Sequence, residues 1–170
     1  MTDALRSETA RAAFVNAMGA AVTGVTIVTT NGPGGRLGRT ISAMASVSAD
    51  PPMLLVCVNR RSPLELAIRA NGVFGVSVLG EHQADLSDAF AGRSQSATPF
   101  AFAACDWHAD AAGVPLLAGA AARFACRVES AMEAGTHTVF IGGVLETGHN
   151  TARPLAYTGR AYARPLPLAA

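Results

Sequence analysis

Apolar and polar residues alternate along residues 40–48, which predicts a β-strand with one apolar face. The opposite face consists mostly of small hydroxyl side chains: Thr40, Ser42, Ser46 and Ser48. Asp50-Pro51-Pro52 then ends the strand, because proline has no N–H to donate to a sheet. The uninterrupted apolar run at residues 53–58 predicts a second strand, which we expect to be buried.

A helix is predicted directly after these two strands. Ser62 is a favourable N-cap, Pro63 suits the first helical position, and Glu65 lies three residues after Ser62, as in a capping box. Asn71-Gly72 provides the end of the helix. The sequence therefore predicts a helix with its own start and stop signals.

Arg60 and Arg61 immediately precede this helix, whose N-terminal N–H groups and partial positive charge attract anions. A strand lined with hydroxyl groups that leads to an anion site indicates a flat, phosphorylated ligand with polar edges. The alternative is an ordinary helix cap beside two solvated arginines. The residues alone leave both interpretations open.

The rest of the chain predicts short strands joined by turns, with two more short helices. A helix at residues 7–18 is capped by Ser7 and ended by Gly19, and its Phe14 and Met18 are expected to pack. The other expected elements are strands at 22–30, 73–79, 121–131, 136–147 and 154–162, and a helix at 81–91.

Two segments between these elements have alternative interpretations. The glycine-rich residues 31–38 predict a hairpin turn, since the lysine and hydroxyl that end a phosphate loop are missing. The polar residues 93–98 are the best candidate for a lid, and an ordinary surface loop is the alternative.

This series of elements predicts a mainly β fold, an antiparallel barrel, in one domain that spans residues 1–170. The strand, G-x-G-x-x-G and helix of a Rossmann nucleotide site are absent from the sequence. A 170-residue chain that is 50% hydrophobic has enough apolar material for a real core.

Charge and composition exclude several classes of protein. The 13 basic and 12 acidic residues are interspersed, without the basic stripe that nucleic-acid binding needs. No apolar stretch is long enough to cross a membrane and the N-terminus lacks the layout of a signal peptide, so we expect a cytoplasmic protein. The three cysteines and four histidines have no metal-ligand spacing, and no metal is expected.

The pattern G-x-T-x-S…S-V-S-x-D-P-P-x-L-L-V-C-V-x-x-x-S in residues 38–62 resembles the short-chain flavin reductases. These NAD(P)H:flavin oxidoreductases supply reduced flavin to two-component monooxygenases. Further segments follow in family-like order, at residues 90–92, 105–107, 113–117, 135–142 and 154–157. The resemblance implies a flavin-binding split β-barrel, Greek-key-like with a few short helices, that forms a homodimer with flavin near the subunit interface.

The resemblance also implies a set of cofactor-binding positions: Thr40, Ile41, Ser42, Ala45, Ser46, Val47, Cys57, Asn59, Arg60, Ser62, Phe90 and Tyr157. Thr40, Ser42 and Ser46 are the first candidates for flavin contacts, and strand hydroxyls satisfied by backbone are the alternative. Phe90, four residues after Leu86, is equally compatible with a place in the core.

His137 lies in the family-like G-x-H-T motif, where the resemblance implies a catalytic position close to the meeting point of nicotinamide and flavin. The alternative is a structural hydrogen-bonding histidine at the start of a strand. The sequence departs from the family at Arg39, where an apolar residue is common. This arginine either adds a charge near the flavin or dinucleotide site or is a strand-edge side chain in solvent. The sequence also departs at Ala43 and Ala45, where relatives often have a hydroxyl or amide.

The activity implied is hydride transfer from NADH or NADPH to N5 of FMN or FAD, which delivers reduced flavin to a separate monooxygenase. Two alternatives remain open on the sequence. One is a flavin-binding electron carrier without enzymatic activity, and the other is a flavoenzyme that keeps its flavin bound and acts directly on an organic substrate.

Overall fold

Twelve strands and three α-helices make up the chain in the computed structural model, which describes residues 7–93 and 99–168. The helices are α1 (Glu8–Gly19), α2 (Pro63–Asn71) and α3 (Ala84–Ala91), with short 3-10 turns at Glu81–Gln83 and Phe102–Ala104. The first six strands are β1 (Thr23–Gly24), β2 (Thr26–Thr30), β3 (Leu37–Ile41), β4 (Met44–Ala49), β5 (Pro52–Asn59) and β6 (Val73–Val78). The others are β7 (Trp107–Ala109), β8 (Pro115–Leu117), β9 (Ala122–Ala134), β10 (His137–His149), β11 (Ala156–Thr158) and β12 (Ala161–Ala163).

A seven-stranded sheet in the order β3-β2-β6-β9-β10-β5-β4 forms the body of the protein. A three-stranded sheet, β1-β11-β12, and the pair β7-β8 accompany it. All of these strand pairs are antiparallel. The predicted mainly β, antiparallel fold is therefore confirmed.

The chain connection between β3 and β4 shows that this sheet is rolled up. The two strands are opposite edges of the seven-stranded order, yet Ser42 and Ala43 alone join them. Three residue steps span no more than about 11 Å, so the two edges must approach each other. The sheet therefore closes into a barrel with a gap between β3 and β4, which we call the split.

The predicted single strand at residues 40–48 was wrong for the same reason. Alternation identified strand-forming residues correctly, but the chain breaks at Ser42-Ala43 in order to change partners. Before the break Ile41 is opposite Thr26 of β2, and after it Met44 is opposite Val56 of β5.

Two apolar clusters fill the barrel and its flank. The first joins the sheet to α2 and is built around Val56, Leu64, Ile68, Phe74 and Phe140, all fully buried. The second lies beside α3 around Ile27, Leu79, Phe90 and Leu117. Each such side chain contributes roughly 1.5–3 kcal/mol to stability on burial. These clusters fix α2 and α3 against the strands that carry the site.

Other boundaries also differ from the sequence prediction. The expected strand at 154–162 is a hairpin, β11 and β12, which turns at Gly159 and Arg160 with positive φ angles of 57° and 63°. The expected helix at 81–91 begins with a 3-10 turn, and α3 itself starts at Ala84. Of the candidate lid at 93–98, residues 94–98 lie outside the described part of the chain.

Helix α1 does not pack as its sequence predicts. Ser7 caps it as expected, but Phe14 and Met18 are 65% and 50% exposed and the helix has no buried residue. The expected packing face of α1 is therefore open within this chain. Among the residues described, no helix is both long and apolar enough to cross a membrane.

Candidate functional site

A cavity of about 340 Å³ opens at the split. One wall is the end of β3 and the following turn, and the other comprises Cys57, Val58 and Asn59 of β5. The N–H of Cys57 donates to the carbonyl of Ala43 at 3.0 Å, which ties the turn to β5. The remaining lining residues are Ser62, before α2, and His137, which is opposite Asn59 in the β10–β5 register. We call this space the ring cavity.

The ring cavity brings together most of the positions that the resemblance implied. The predicted residues in its lining are Thr40, Ile41, Ser42, Cys57, Asn59, Ser62 and His137. Arg39 and Ala43 line it as well. Residues that are distant in sequence converge here because β5 is paired with β10 and lies across the split from β3.

The Thr40 hydroxyl has a backbone hydrogen-bond partner, in agreement with the alternative of a strand hydroxyl satisfied by backbone. Its Oγ1 donates to the carbonyl of Ser87 in α3 at 2.7 Å, which fixes the side chain in the wall. The hydroxyl oxygen can still accept a hydrogen bond from a ligand. Burial raises the pKa of the partly buried Cys57 thiol, which favours its neutral form.

Several predicted positions lie outside the ring cavity. Ala45, Ser46 and Val47 are exposed on the edge strand β4 and are not among the lining residues. Phe90 is fully buried and packs on Phe102 and Trp107, with ring centroids 5.5 and 5.6 Å away. For Phe90 the structure supports the alternative of a core residue, and it corrects the expectation of a cofactor contact.

Tyr157 borders a smaller cavity of about 120 Å³ on the other side of Thr40 and Ser42. Its ring packs on Tyr162 with centroids 5.6 Å apart. The Tyr162 hydroxyl donates to Asp88 at 2.7 Å and lies 2.9 Å from the Ser87 hydroxyl. Tyr157 is therefore a neighbour of the ring cavity across the turn after β3, without lining it.

A second, strongly basic cavity of about 800 Å³ adjoins the first. Its lining is Arg11, Asn59, Arg60, Arg61, Gly135, Thr136 and His137. Asn59 and His137 line both cavities, which makes the two spaces neighbours. The sequence reasoning missed Arg11, because no local pattern reveals that α1 brings it to the β5–α2 loop. We call this space the basic cavity.

Arg60, predicted as a cofactor contact, lines the basic cavity and not the ring cavity. It forms an ion pair with Glu133 at 2.9 Å, and both side chains are about half exposed. A surface pair of this kind contributes about 0–1 kcal/mol and is readily exchanged for another anion.

His137 stands where the two cavities meet. Its ring is partly buried, and Nδ1 lies 2.9 Å from Oγ1 of Thr136. That contact orients the imidazole ring in the wall shared by the two spaces. Both roles considered for this residue, a structural hydrogen bond and a ligand contact, are compatible with its position.

A buried polar cluster of Glu65, Arg69 and Thr138 lies next to the site residues Ser62 and His137. The Glu65 carboxylate, 5% exposed, accepts from Arg69 Nε at 2.6 Å and from the Thr138 hydroxyl at 2.8 Å. The predicted capping box was therefore wrong in this respect, because Glu65 points into the protein instead of back to its own helix start. The cluster joins α2, which follows Ser62, to β10 directly beside His137.

The pKa of the Glu65 carboxyl reflects these contacts. Burial by itself raises the pKa, but the hydrogen bonds from Arg69 and Thr138 and the charges of Arg69 and Arg60 outweigh burial. The net pKa is below its ordinary value, so Glu65 is ionised at neutral pH.

Ser62 caps α2 as predicted, since its Oγ accepts from the N–H of Leu64 at 3.3 Å. We expect Ser62→Ala to lower the free energy of unfolding by about 1 kcal/mol, whereas Ser62→Gly costs only a few tenths. Urea denaturation measures both. If the hydroxyl also contacts a ligand phosphate, the two variants lose the same ligand affinity despite their different stabilities. Equal stabilities would contradict the capping role.

The described residues of this site do not include a candidate metal-binding group. Within residues 7–93 and 99–168, no group of three or more His, Cys, Asp or Glu side chains could hold a metal ion. The cavity walls instead combine apolar side chains such as Ile41 and Val58 with polar groups at the rim and arginines next to them. A flat ring with polar edges and an attached phosphate fits this arrangement.

The fold and the site thus define a split β-barrel protein whose cavities fit a flat, anionic ligand. The family description "Flavin reductase like domain" matches residues 18–165. The chain belongs to this flavin reductase family, which confirms the resemblance seen in the sequence.

Curated relatives agree with this assignment. The chain is 42% identical over 153 residues to the FMN reductase (NADH) RutF of Ancylobacter novellus, covering 89% of this chain and 83% of the relative. It is 41% identical over 130 residues to the 4-hydroxyphenylacetate 3-monooxygenase reductase component of Pseudomonas aeruginosa, covering 76% of each chain.

Solved structures show the same fold. The NADH:FAD oxidoreductase of Streptomyces globisporus superposes with a TM-score of 0.85 at 31% identity, covering 96% of this chain and 97% of that one. The styrene monooxygenase flavin reductase of Pseudomonas putida has a TM-score of 0.80 at 33% identity, covering 91% and 99%. The expected class, an oxidoreductase of the flavin reductase type, is confirmed.

Proposed function

We propose that this protein is a flavin reductase that uses NADH to reduce FMN and releases the reduced flavin. The observation that carries the proposal is the pair of adjoining cavities, one with the size and polarity for a flavin ring and one lined by arginines. The choice of FMN and NADH follows the relatives named FMN reductase (NADH). FAD and NADPH are the alternatives that the experiment below distinguishes.

When bound, flavin supplies the redox chemistry by accepting a hydride at N5 from C4 of the nicotinamide. The chain's part is to hold two rings face to face and to exclude other geometries. Thr40, Ser42 and Cys57 form the walls against one ring. The Ser62 cap, the α2 N-terminus and Arg60 attract phosphate, and His137, at the junction of the cavities, orients the nicotinamide.

The proposed recipient of the reduced flavin is a separate monooxygenase. Relatives are named as reductase components of such systems, including the 4-hydroxyphenylacetate and styrene enzymes. Both cavities are open to solvent at the surface, which suits a flavin that enters and leaves in each cycle. Because the reaction consumes NADH, the cytoplasm is the compartment that we propose.

The test is oxidation of NADH and of NADPH by the purified protein, with FMN, FAD and riboflavin each varied under air. We expect turnover that saturates with added FMN and is faster with NADH. A protein that binds flavin yet shows no turnover above the protein-free rate would contradict the proposal and favour an electron carrier. A protein that remains yellow through gel filtration would favour an enzyme that keeps its flavin.

We also propose that the protein is a homodimer in which a second copy covers α1. Phe14, Val15 and Met18 are exposed on this helix, and Val15 and Met18 border a cavity that includes Ser42 of the site. Light scattering after gel filtration is expected to give twice the 17.3 kDa chain mass. Phe14→Glu with Met18→Glu should give the monomer mass, and a wild-type protein at the monomer mass would contradict the proposal.

A further inference from the structure

Arg39 places a guanidinium group in the wall of the ring cavity. Its side chain is partly buried on β3, between Gly38 and Thr40. None of the functional assignments above uses this group. An arginine at this place requires a physical explanation, because burial of a charge without a partner is costly.

Two contacts hold the guanidinium in position. Its Cζ lies 3.6 Å from the centre of the Phe100 ring, a close cation–π contact, and Nη1 donates to the Gly38 carbonyl at 2.9 Å. Stacking on an aromatic ring removes much of the rotamer freedom of a long side chain. A group ordered in advance loses less entropy when it binds a ligand.

The charge of Arg39 has no carboxylate partner among the described residues. The ion pairs of this part of the chain involve Arg60, Arg69, Arg93, Arg127 and Arg164 instead. The lining of the ring cavity contains no aspartate or glutamate. Burial also lowers the pKa of the Arg39 guanidinium, as expected for a cation that has lost water without gaining an anion.

A guanidinium has five N–H donors, and the described hydrogen bonds of Arg39 use one of them. The other N–H donors of Arg39 remain available in the wall of the ring cavity. The guanidinium that carries them is held in place, is partly removed from water, and has no carboxylate to balance its positive charge. Such a group is satisfied by an anionic partner through charge-assisted hydrogen bonds.

We propose that Arg39 binds a negative charge of the cofactor and is a specificity-determining residue of this chain. The proposal rests on the proposed flavin reductase function. Two sources of the charge share this chemistry: the phosphate of FMN, and the anionic ring that flavin acquires on reduction. The first makes Arg39 select FMN over riboflavin, and the second makes it favour reduced flavin over oxidised flavin.

The hairpin that carries Arg39 also supplies a matched control. Arg36 stacks on Phe102 with its Cζ 4.3 Å from the ring centre, but it does not line the ring cavity. Arg36→Met therefore removes a positive charge and a cation–π contact from the same hairpin without altering the cavity wall. Arg39→Met removes the proposed ligand contact, and Arg39→Lys keeps the charge but loses the planar fork.

The experiment is anaerobic titration of each variant with riboflavin, oxidised FMN and reduced FMN, followed by flavin fluorescence or absorbance, with thermal melting to verify folding. We expect Arg39→Met to weaken FMN binding by roughly 10- to 100-fold in at least one redox state. The FMN affinity of Arg39→Lys should lie between those of Arg39→Met and the wild type. The FMN affinity of Arg36→Met should stay within about twofold of the wild type.

The pattern of losses identifies the charge. A loss with oxidised FMN that is absent with riboflavin assigns Arg39 to the phosphate, whereas a loss confined to reduced FMN assigns it to the ring. Unchanged affinities in both states, or an equal loss in Arg36→Met, would overturn the proposal. If Arg39→Met does not fold, Arg39→Lys decides by the same criteria. A wild-type protein that binds no flavin would instead overturn the proposed function itself.

Discussion

Replacement of Cys57 by phenylalanine is expected to weaken FMN binding by at least about 100-fold while the barrel stays folded. Cys57 lines the ring cavity with a partly exposed side chain, whereas Val56 is buried in the core and Val58, although it also lines the cavity, is 1% exposed. A phenyl ring in place of the thiol occupies space that the cofactor needs, in a cavity of about 340 Å³. A 100-fold loss corresponds to about 2.7 kcal/mol of binding free energy.

FMN titration and thermal melting of Cys57→Phe together check this expectation. Cys57→Ser is the matched control, because it keeps the cavity open and should bind FMN within a few-fold of wild type. Wild-type FMN affinity in a folded Cys57→Phe variant would show that the flavin ring binds elsewhere. The same result would remove the structural basis for the roles of Thr40 and Ser42.

Replacement of Arg69 by methionine is expected to lower the free energy of unfolding by about 2–3 kcal/mol. Removal of one partner from a buried ion pair costs about 3–5 kcal/mol, because the other charge is left uncompensated. Glu65 is 5% exposed, but the Arg69 side chain is 40% exposed, so solvent screens part of the interaction and the expected loss falls at or below the lower end of that range. Thr138 would remain as a single hydrogen-bond donor to the carboxylate.

Urea denaturation of the wild type, of Arg69→Met and of a double variant tests whether the Glu65–Arg69 pair stabilises the fold. The double variant Glu65→Leu with Arg69→Met removes both charges and should recover a large part of the loss. If Arg69→Met alone unfolds like wild type, the ion pair does not stabilise the α2–β10 contact. Flavin titration of the same variants shows whether loss of this contact also displaces Ser62 and His137.

The same cluster predicts how stability depends on pH. Because the folded-state pKa of Glu65 is below its unfolded value, the stabilisation is fully present above the unfolded pKa. It is lost as pH falls through the folded pKa, since protonation then removes the charge that Arg69 binds. Denaturation of Glu65→Gln across acidic pH should give a flatter profile than wild type, and parallel profiles would contradict this assignment.

Much of the site could be predicted from the sequence because its signals are local. The cap at Ser62, the end of α2 at Asn71-Gly72 and the alternation around Thr40 each depend on a few neighbouring residues. The resemblance then related these segments to one cofactor site, and the ring cavity gathers most of them. Ser46 and its neighbours on β4 remain predictions, because no contact of the described chain tests them.

The errors have a common physical cause. Alternation cannot show that the strand at 40–48 breaks at Ser42-Ala43, because both halves have the same period and only their partners differ. A helical spacing cannot distinguish Phe90, which is in the core, from Phe14, which is exposed. Glu65 matched a capping box locally, but Thr138 and Arg69 offered it stronger contacts within the fold.

The sequence by itself determined which residues form strands, turns and capped helices, since these depend on backbone chemistry within a few positions. The tertiary structure alone decided which side chains face one cavity. Sheet order places β3 and β5 on either side of the split, and the β10–β5 register sets His137 opposite Asn59. Such long-range pairings depend on closure of the whole barrel. For this reason Arg11 emerged only in the folded protein, and only the fold showed that Arg39 lines the ring cavity.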